Sequence, residues 1–481
     1  MGGVMSSEGY DQDNHSRLAG LLAEPPAAGY RVRYRDLPRT GGGRTGAVLL
    51  MALAPVLAGL PLLHVLWPTH WTGRGDVRRW LVLADSVTLV SVGLMELFLL
   101  VNVVVVAYAA SVARDPVPVA PERGTVLAFL ATYVPGREHL STVRATLEGA
   151  VGMRHPGPFD VWLLDESDDP EARMLCAELG VHHFTRLGVP EWNRQKGPHR
   201  TGTRHGNLNA WLAKHGDDYD FLASVDTGHI PPPCFLEGMT GYFRDPDVAF
   251  VVGPPVHGSH ATAVGGAAGA PQPLFHALVQ RAGNRYGAPV LAGAGRVMRV
   301  AAVRRAGGFH DSAAGDVATG LGVHRLRNPL TGRYWRSVHA PDVPAVGKGS
   351  SAPAYASARR PRRSRGAYGA LLRQYGKALF RVPPGRLLGY TLTLLRRPVA
   401  AVTCLFCVLG CLLALTHAET RVWAVTAVVA AALPPGLVWC LTLLRGRVSR
   451  RARGRSRSAR PVQDGESALA TATAGSPAAG S

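Results

Sequence analysis

Apolar residues gather into four long blocks toward the two ends of the chain and into short runs between them. The blocks are Ala47–Trp67, Leu81–Val112, Val399–Thr416 and Val422–Leu444. A helix needs roughly 20 apolar residues to cross a bilayer, so all four are expected to span one. The first begins too late, and runs too long, for a cleaved signal peptide. Leu81–Val112 carries Asp85, Glu96 and Asn102, and Glu96 is expected to bond to a neighbouring helix. Between the two pairs lies a stretch of soluble composition, about 116 to 383, where the pattern changes. Val126–Thr132, Val161–Leu164, Val181–Thr185, Phe221–Val225 and Ala249–Val252 read as buried strands. Helix-like segments such as Glu138–Val151 and Pro170–Leu179 separate them, which predicts an α/β domain with a mainly parallel sheet. Tyr368, Leu371, Leu372, Tyr375 and Leu379 recur with helical spacing and predict an amphipathic helix at the membrane interface.

Charge gives the blocks a direction. The chain has 53 basic against 33 acidic residues, a net +20. Arg31, Arg33, Arg35, Arg39 and Arg44 precede the first block, and eight arginines from Arg445 to Arg460 follow the last. Positive residues stay on the cytoplasmic side, so both termini and the central domain are expected in the cytoplasm of a multi-pass inner-membrane protein. Arg74, Arg78 and Arg79 in the first outer loop run against this assignment and are outnumbered. The arginine-rich tail reads as an anchor on anionic lipid rather than a nucleic-acid site. A disordered chain is excluded by 47% apolar residues, and a disulfide scaffold by six cysteines in 481 residues. The expected organisation is a disordered basic N-terminus (1–45), two spans (46–113), a cytoplasmic domain (116–350), a basic segment with interfacial helices (351–397), two spans (398–444) and a disordered tail (445–481).

Acidic residues stand where the runs end. Val161–Leu164 is followed by Asp165, and Phe221–Val225 by Asp226. In parallel α/β sheets ligands bind beyond the carboxyl ends of strands, so both are candidate site residues. Each also suits a helix N-cap or a turn, as does Asp316 ahead of an apolar helix.

Taken in order, Ala131-Thr132-Tyr133, Leu164-Asp165-Glu166-Ser167, His205-Gly206-Asn207-Leu208-Asn209, Val225-Asp226-Thr227-Gly228-His229, Gly241–Pro246 and Gly315-Asp316 resemble the membrane-embedded family 2 glycosyltransferases. These are the cellulose synthase-like and hyaluronan synthase-like enzymes. The resemblance covers roughly 124 to 444. It implies a GT-A (Rossmann-like) nucleotide-sugar domain inserted between two pairs of transmembrane helices. It also implies transfer of a hexose, with inversion, from a UDP-sugar to a polysaccharide or lipid-linked acceptor hydroxyl. Thr132, Tyr133, Asp165 and Asn207 would contact the donor, with Asp165 accepting from the base. Arg204 would contact the diphosphate and Asp226 would carry a Mg²⁺ or Mn²⁺. Asp316 would be the general base, and Arg362 would face the acceptor.

The chain departs from the family pattern at several of these places. The Asp-x-Asp metal motif reads Asp226-Thr227-Gly228, so its second carboxylate is missing and the cation site is weakened. The Glu-Asp motif reads Gly315-Asp316. The Gln-x-x-Arg-Trp motif aligns with Arg359–Arg363 and keeps only Arg362. Two accounts follow: a divergent transferase, or a catalytically impaired paralogue that binds nucleotide-sugar or regulates an active sister synthase. A pore without catalysis would need none of the ordered sugar-transferase motifs. Four spans are few for a polymer channel, which points to a homo- or hetero-oligomer or a short product.

Overall fold

The computed structural model describes residues 22–25, 29–36, 49, 52–57, 59–60, 62–63, 66–67, 79–136, 138–226, 228–257, 275–293, 295–312, 315–341, 345–347, 372 and 374–394. The strands in chain order are β1 (Tyr34–Asp36), β2 (Arg114–Pro116), β3 (Leu127–Tyr133), β4 (Phe159–Asp165), β5 (His182–Thr185), β6 (Phe221–Val225), β7 (His229–Ile230), β8 (Val248–Gly253), β9 (Pro255–His257), β10 (Gly295–Arg299), β11 (Arg336–His339) and β12 (Ala345–Gly347). Seven of them form one sheet in the order β11-β8-β10-β6-β3-β4-β5. β6, β3, β4 and β5 run parallel to one another, as the apolar runs predict. β10 runs antiparallel to both β6 and β8. The sequence reading does not contain β10 or β11. Their cores, Val297-Met298 and Val338, are too short to stand out as apolar runs.

Strand β3 shows why the sheet sits where it does. All seven of its residues are buried, as expected for a central strand covered on both faces. Successive side chains point to opposite faces. Leu127, Phe129 and Ala131 join one core with Val143 and Leu147 of the helix Leu140–Val151, and with Leu175 of the helix Pro170–Leu179. Ala128 and Leu130 join a second core with Trp211 and Leu212 of the helix Arg204–His215. The result is a helix–sheet–helix sandwich. The Pro170–Leu179 helix has the bounds the sequence predicts. Asp169 caps it, accepting from the Glu171 amide at 3.0 Å, and Gly180 ends it at φ 65°.

Part of the basic N-terminal segment expected to be disordered is built into the fold. β1 pairs antiparallel with β2, and Tyr30 is buried. Arg31 pairs with Asp245 at 2.7 Å and also with Asp247, both carboxylates being buried. Two buried acids without a cation would be costly, and this pair of contacts fixes the segment.

Among the described residues one helix is long and apolar enough to cross a membrane. It is the stretch Gly93–Val112 within Arg79–Val112. It coincides with the second expected span. In the first, residues 49, 52–57, 59–60 and 62–63 are helical, and Leu66 and Trp67 are not. The third and fourth expected spans and the arginine-rich tail lie outside the described residues. Glu96 is buried, and its Oε1 has no hydrogen-bond partner among the described residues.

Candidate active site

The carboxyl ends of β3, β4 and β6 lie side by side on one edge of the sheet, and most of the candidate residues gather there. At the end of β4, Asp165 is wholly buried. Its Oδ1 accepts from the Ser167 amide at 3.0 Å and the Ser167 hydroxyl at 3.1 Å. Its Oδ2 accepts from the Asp169 amide at 2.5 Å and lies 3.3 Å from His183 Nε2. Burial pushes the carboxyl's pKa up, but hydrogen bonds from His183, Ser167 and Asp169 outweigh it and hold the group below its ordinary value. These donors take up both oxygens, so Asp165 organises the 165–169 turn from beneath. Tyr133 at the end of β3 donates to Asp169 Oδ2 at 3.0 Å, which joins it to the same turn. Thr132 lines a small cavity with Ala131, Val143, Thr146 and Val225.

The next residue, Glu166, makes an interaction the sequence reading did not single out. It forms a two-pronged pair with Arg186, Nε to Oε2 at 3.1 Å and Nη2 to Oε1 at 2.5 Å. Arg186 is fully buried and also donates to the carbonyls of Trp192 and Arg200 at 2.7 and 2.9 Å. Glu166 in turn accepts from the Gly202 amide at 2.8 Å. One ion pair thus clamps the loop that leads into the Arg204–His215 helix. A Cβ on Gly206 would stand 2.2 Å from the Arg200 carbonyl, so only glycine permits this approach.

That helix delivers two candidates. Thr203 caps it, accepting from the Gly206 amide at 3.1 Å. Arg204 Nη1 lies 2.8 Å from Asp226 Oδ1, just beyond β6. His205 Nε2 lies 3.4 Å from Asp316 Oδ1, in the first turn of the helix Gly315–His324. Asn207 is buried, and its Oδ1 has no hydrogen-bond partner among the described residues. Asn209 bonds both the amide and the carbonyl of Phe309, at 2.7 and 2.8 Å, and so holds the loop that approaches Asp316.

Two departures from the family pattern have local causes. Gly228 has φ 83°, a backbone conformation that disfavours any residue with a Cβ. It lies in a turn closed by the His229 amide on the Asp226 carbonyl at 3.0 Å. A Cβ on Gly315 would stand 2.6 Å from the His205 ring and 2.4 Å from the His310 carbonyl, so the contact between His205 and Asp316 excludes a side chain there.

The central residue of the site is Arg296, which the sequence reading passed over. Because β10 is antiparallel, its first residues lie at the edge where β6 and β8 end. Arg296 faces Ser224 and Val252 in the register and is 3% exposed. Its Nε donates to Ser224 Oγ at 2.8 Å. Its Nη1 lies 2.8 Å from Asp316 Oδ2 and its Nη2 3.6 Å from Asp226 Oδ1. Crowding raises the pKa of the Asp316 carboxyl, but Arg296, His205 and Arg204 prevail and hold it far below the carboxylate range. The site therefore has two carboxylates and two guanidiniums in one contact network. Arg362, the expected acceptor residue, lies outside the described residues.

No family model matches the chain. Among solved structures, the mannosyltransferase PcManGT from Pyrobaculum calidifontis, in complex with GDP-Man and Mn²⁺, is similar at 16% identity and a TM-score of 0.41. The match covers 81% of this chain and 99% of that one. Glucosyl-3-phosphoglycerate synthase from Mycobacterium tuberculosis, in complex with Mn²⁺, UDP and glucosyl-3-phosphoglycerate, is similar at 15% identity and a TM-score of 0.35. There the match covers 54% of this chain and 81% of that one. Likeness at this level transfers neither ligand nor activity.

Proposed function

We propose that the chain is a membrane-bound inverting glycosyltransferase that moves a sugar from a UDP-sugar to a hydroxyl of a polysaccharide or glycolipid acceptor. The observation that carries this reading is the convergence of Asp226, Asp316, Arg204 and His205 at the carboxyl edge of an α/β sheet. A glycosyl transfer needs a base for the acceptor hydroxyl and positive charge for the departing diphosphate. Asp316 has one oxygen beside His205 and the other on Arg296, so two contacts fix its direction. Its proton affinity is low while Arg296 is bound to it, and it gains basicity as the guanidinium turns to a phosphate. Arg204 reaches Asp226 from a helix start and stands where a diphosphate oxygen would lie. Thr132 and Tyr133, at the end of β3, would contact the base of the nucleotide, with Asp165 shaping the turn beside them.

Asp226 fits a Mg²⁺ or Mn²⁺ shared with substrate. Its side chain is 44% exposed, and magnesium is commonly held by one or two carboxylates plus phosphate oxygens. Among the described residues no three acidic, His or Cys side chains gather into a cage. A cation held there would offset charge on the leaving diphosphate.

The membrane part of the proposal rests on an inverted pattern. Val90, Leu94, Leu97, Val101, Val104 and Tyr108 form one exposed stripe on the Arg79–Val112 helix. Leu372, Leu379 and Phe380 extend the exposed apolar surface beyond the domain, with Phe380 91% exposed. Lipid facing these side chains accounts for both. The proposed setting is the inner membrane, with the sheet domain and both termini cytoplasmic.

One observation favours the second reading, an impaired paralogue that binds nucleotide-sugar or regulates a sister synthase. The Arg296–Asp316 contact at 2.8 Å blunts the carboxylate that would serve as the base of the transfer. Turnover of a panel of UDP-sugars by the purified full chain with Mn²⁺ separates the two. UDP release that disappears in Asp316→Asn establishes the transferase. Binding of UDP-sugar without release across the panel establishes the paralogue.

A further inference from the structure

Arg296 is a buried cation with a capacity the protein leaves unused. Of its three donor nitrogens, Nε is bonded to Ser224 Oγ and Nη1 lies against Asp316. Nη2 is buried and makes no hydrogen bond among the described residues. It stands 3.6 Å from Asp226, beyond hydrogen-bond reach. Arg204 repeats the pattern: Nη1 is on Asp226, while its buried Nε has no hydrogen-bond partner among the described residues. Leaving N–H groups of charged side chains unpaired inside a protein is expensive. Two arginines do so here, side by side, at the edge where the strands end.

An anion with spare oxygens answers that imbalance. The guanidinium fork matches phosphate oxygens two at a time, and it needs no metal to do so. The other cation-binding device of the family pattern, the second carboxylate, is missing, and φ 83° at Gly228 disfavours one there. Arg204 itself sits on one of the two Asp226 oxygens, Oδ1. We propose that Arg296 and Arg204 together grip the donor's diphosphate directly, so that nucleoside diphosphate binding by this chain does not require a divalent cation. A cation on Asp226 then adds to an anion site that already exists. The inference rests on the nucleotide-sugar reading above and specifies how that site holds its donor.

Calorimetric titration of UDP and GDP into the detergent-solubilised full chain tests it, once with EDTA and once with Mn²⁺. The expected result is an affinity in EDTA within about threefold of that in Mn²⁺, a difference under about 1 kcal/mol. Arg204→Gln, whose side chain is partly exposed and so leaves the core alone, is expected to weaken binding in EDTA about tenfold or more. Arg296→Lys should restore more of the EDTA affinity than Arg296→Gln. Binding in Mn²⁺ that vanishes in EDTA for the unaltered chain overturns the proposal while leaving the nucleotide-sugar reading intact. No binding of either nucleotide in either condition overturns that reading, and this inference with it.

Discussion

Asp165 and Asp316 are both acids at the carboxyl edge of the same sheet, and their surroundings assign them opposite work. Asp165 has no exposed surface and is surrounded by donors of its own turn and His183. Its bonds are spent on the protein. Asp316 has a side chain 31% exposed, and its partners are a histidine and an arginine brought from separate elements. Its bonds are to side chains that can move to something else. An acid saturated by backbone amides is part of the scaffold, whereas an acid held by side-chain cations in an open edge is available for chemistry. Sequence position alone treats the two alike.

The largest test of that contrast is Asp316→Asn. Removing a general base typically lowers turnover about 10²–10⁴-fold, and that is the expected fall in UDP-sugar turnover. Thermal unfolding of the same variant should stay near that of the unaltered chain. A loss of stability as large as that for Asp165 would erase the distinction. The converse substitution is Asp165→Ala, which removes the buried acceptor of the Ser167 and Asp169 amides and of the His183 ring. Ser167 and Asp169 lie near the surface, where water can reach the freed amides, so the loss should be about 1–2 kcal/mol, read as a fall in the unfolding midpoint. Donor affinity should drop with it, because the turn beside Tyr133 loosens. An Asp165→Ala chain that unfolds normally but fails only in donor binding would make Asp165 a direct contact instead.

A smaller effect sharpens the metal side of the comparison. Gly228→Asp restores a second carboxylate but places it at φ 83°. It should destabilise by about 1–2 kcal/mol, since a Cβ is disfavoured there, and should tighten Mn²⁺ binding in the presence of UDP. If Mn²⁺ affinity is unchanged, Asp226 is not on the path of the cation.

Much of the frame was legible before any coordinates. The five apolar runs are strands β3, β4, β5, β6 and β8; β3, β6 and β8 are buried along their whole length, so no polar face interrupts their runs. The helix at Pro170 was legible because its cap and stop are local. Asp226, Arg204 and Asp316 were legible through their ordered motifs, and the structure brings them together. Arg296 was not. Its role depends on β10 running antiparallel, a tertiary fact that five residues with the pattern Gly-Arg-Val-Met-Arg do not encode. The Glu166–Arg186 clamp was hidden for a similar reason, since its partners are loop carbonyls far from any motif. The segment before the first span was read as disordered from composition. Arg31 contradicts this through a partnership more than 200 residues distant. Gly228 and Gly315 were visible as departures, but only the backbone angle at one and the His205 ring beside the other explain them.

A third buried titratable group extends the contrast to histidine and yields the smallest effect. His324 is fully buried between Tyr390 Oη at 2.7 Å and Ser337 Oγ at 3.0 Å. It joins the Gly315–His324 helix to β11 and to the helical residues 384–394. Burial, with Arg386 nearby, pushes its pKa down from 6.5 to about 3. In the unfolded chain the imidazole takes a proton as pH falls below about 6.5; in the folded chain it stays neutral until about 3. Folding stability is therefore undiminished above that upper value and falls as pH drops through the window. The slope from this one group is at most about 1.4 kcal/mol per pH unit. Replacing it with a side chain that cannot titrate, His324→Gln, should flatten the unfolding midpoint between pH 6 and pH 4 relative to the unaltered chain. An unchanged slope would mean that His324 is protonated where it sits, with Tyr390 and Ser337 both accepting from it. The junction would then belong with the Arg-held acids of the open edge rather than with the saturated turn of Asp165.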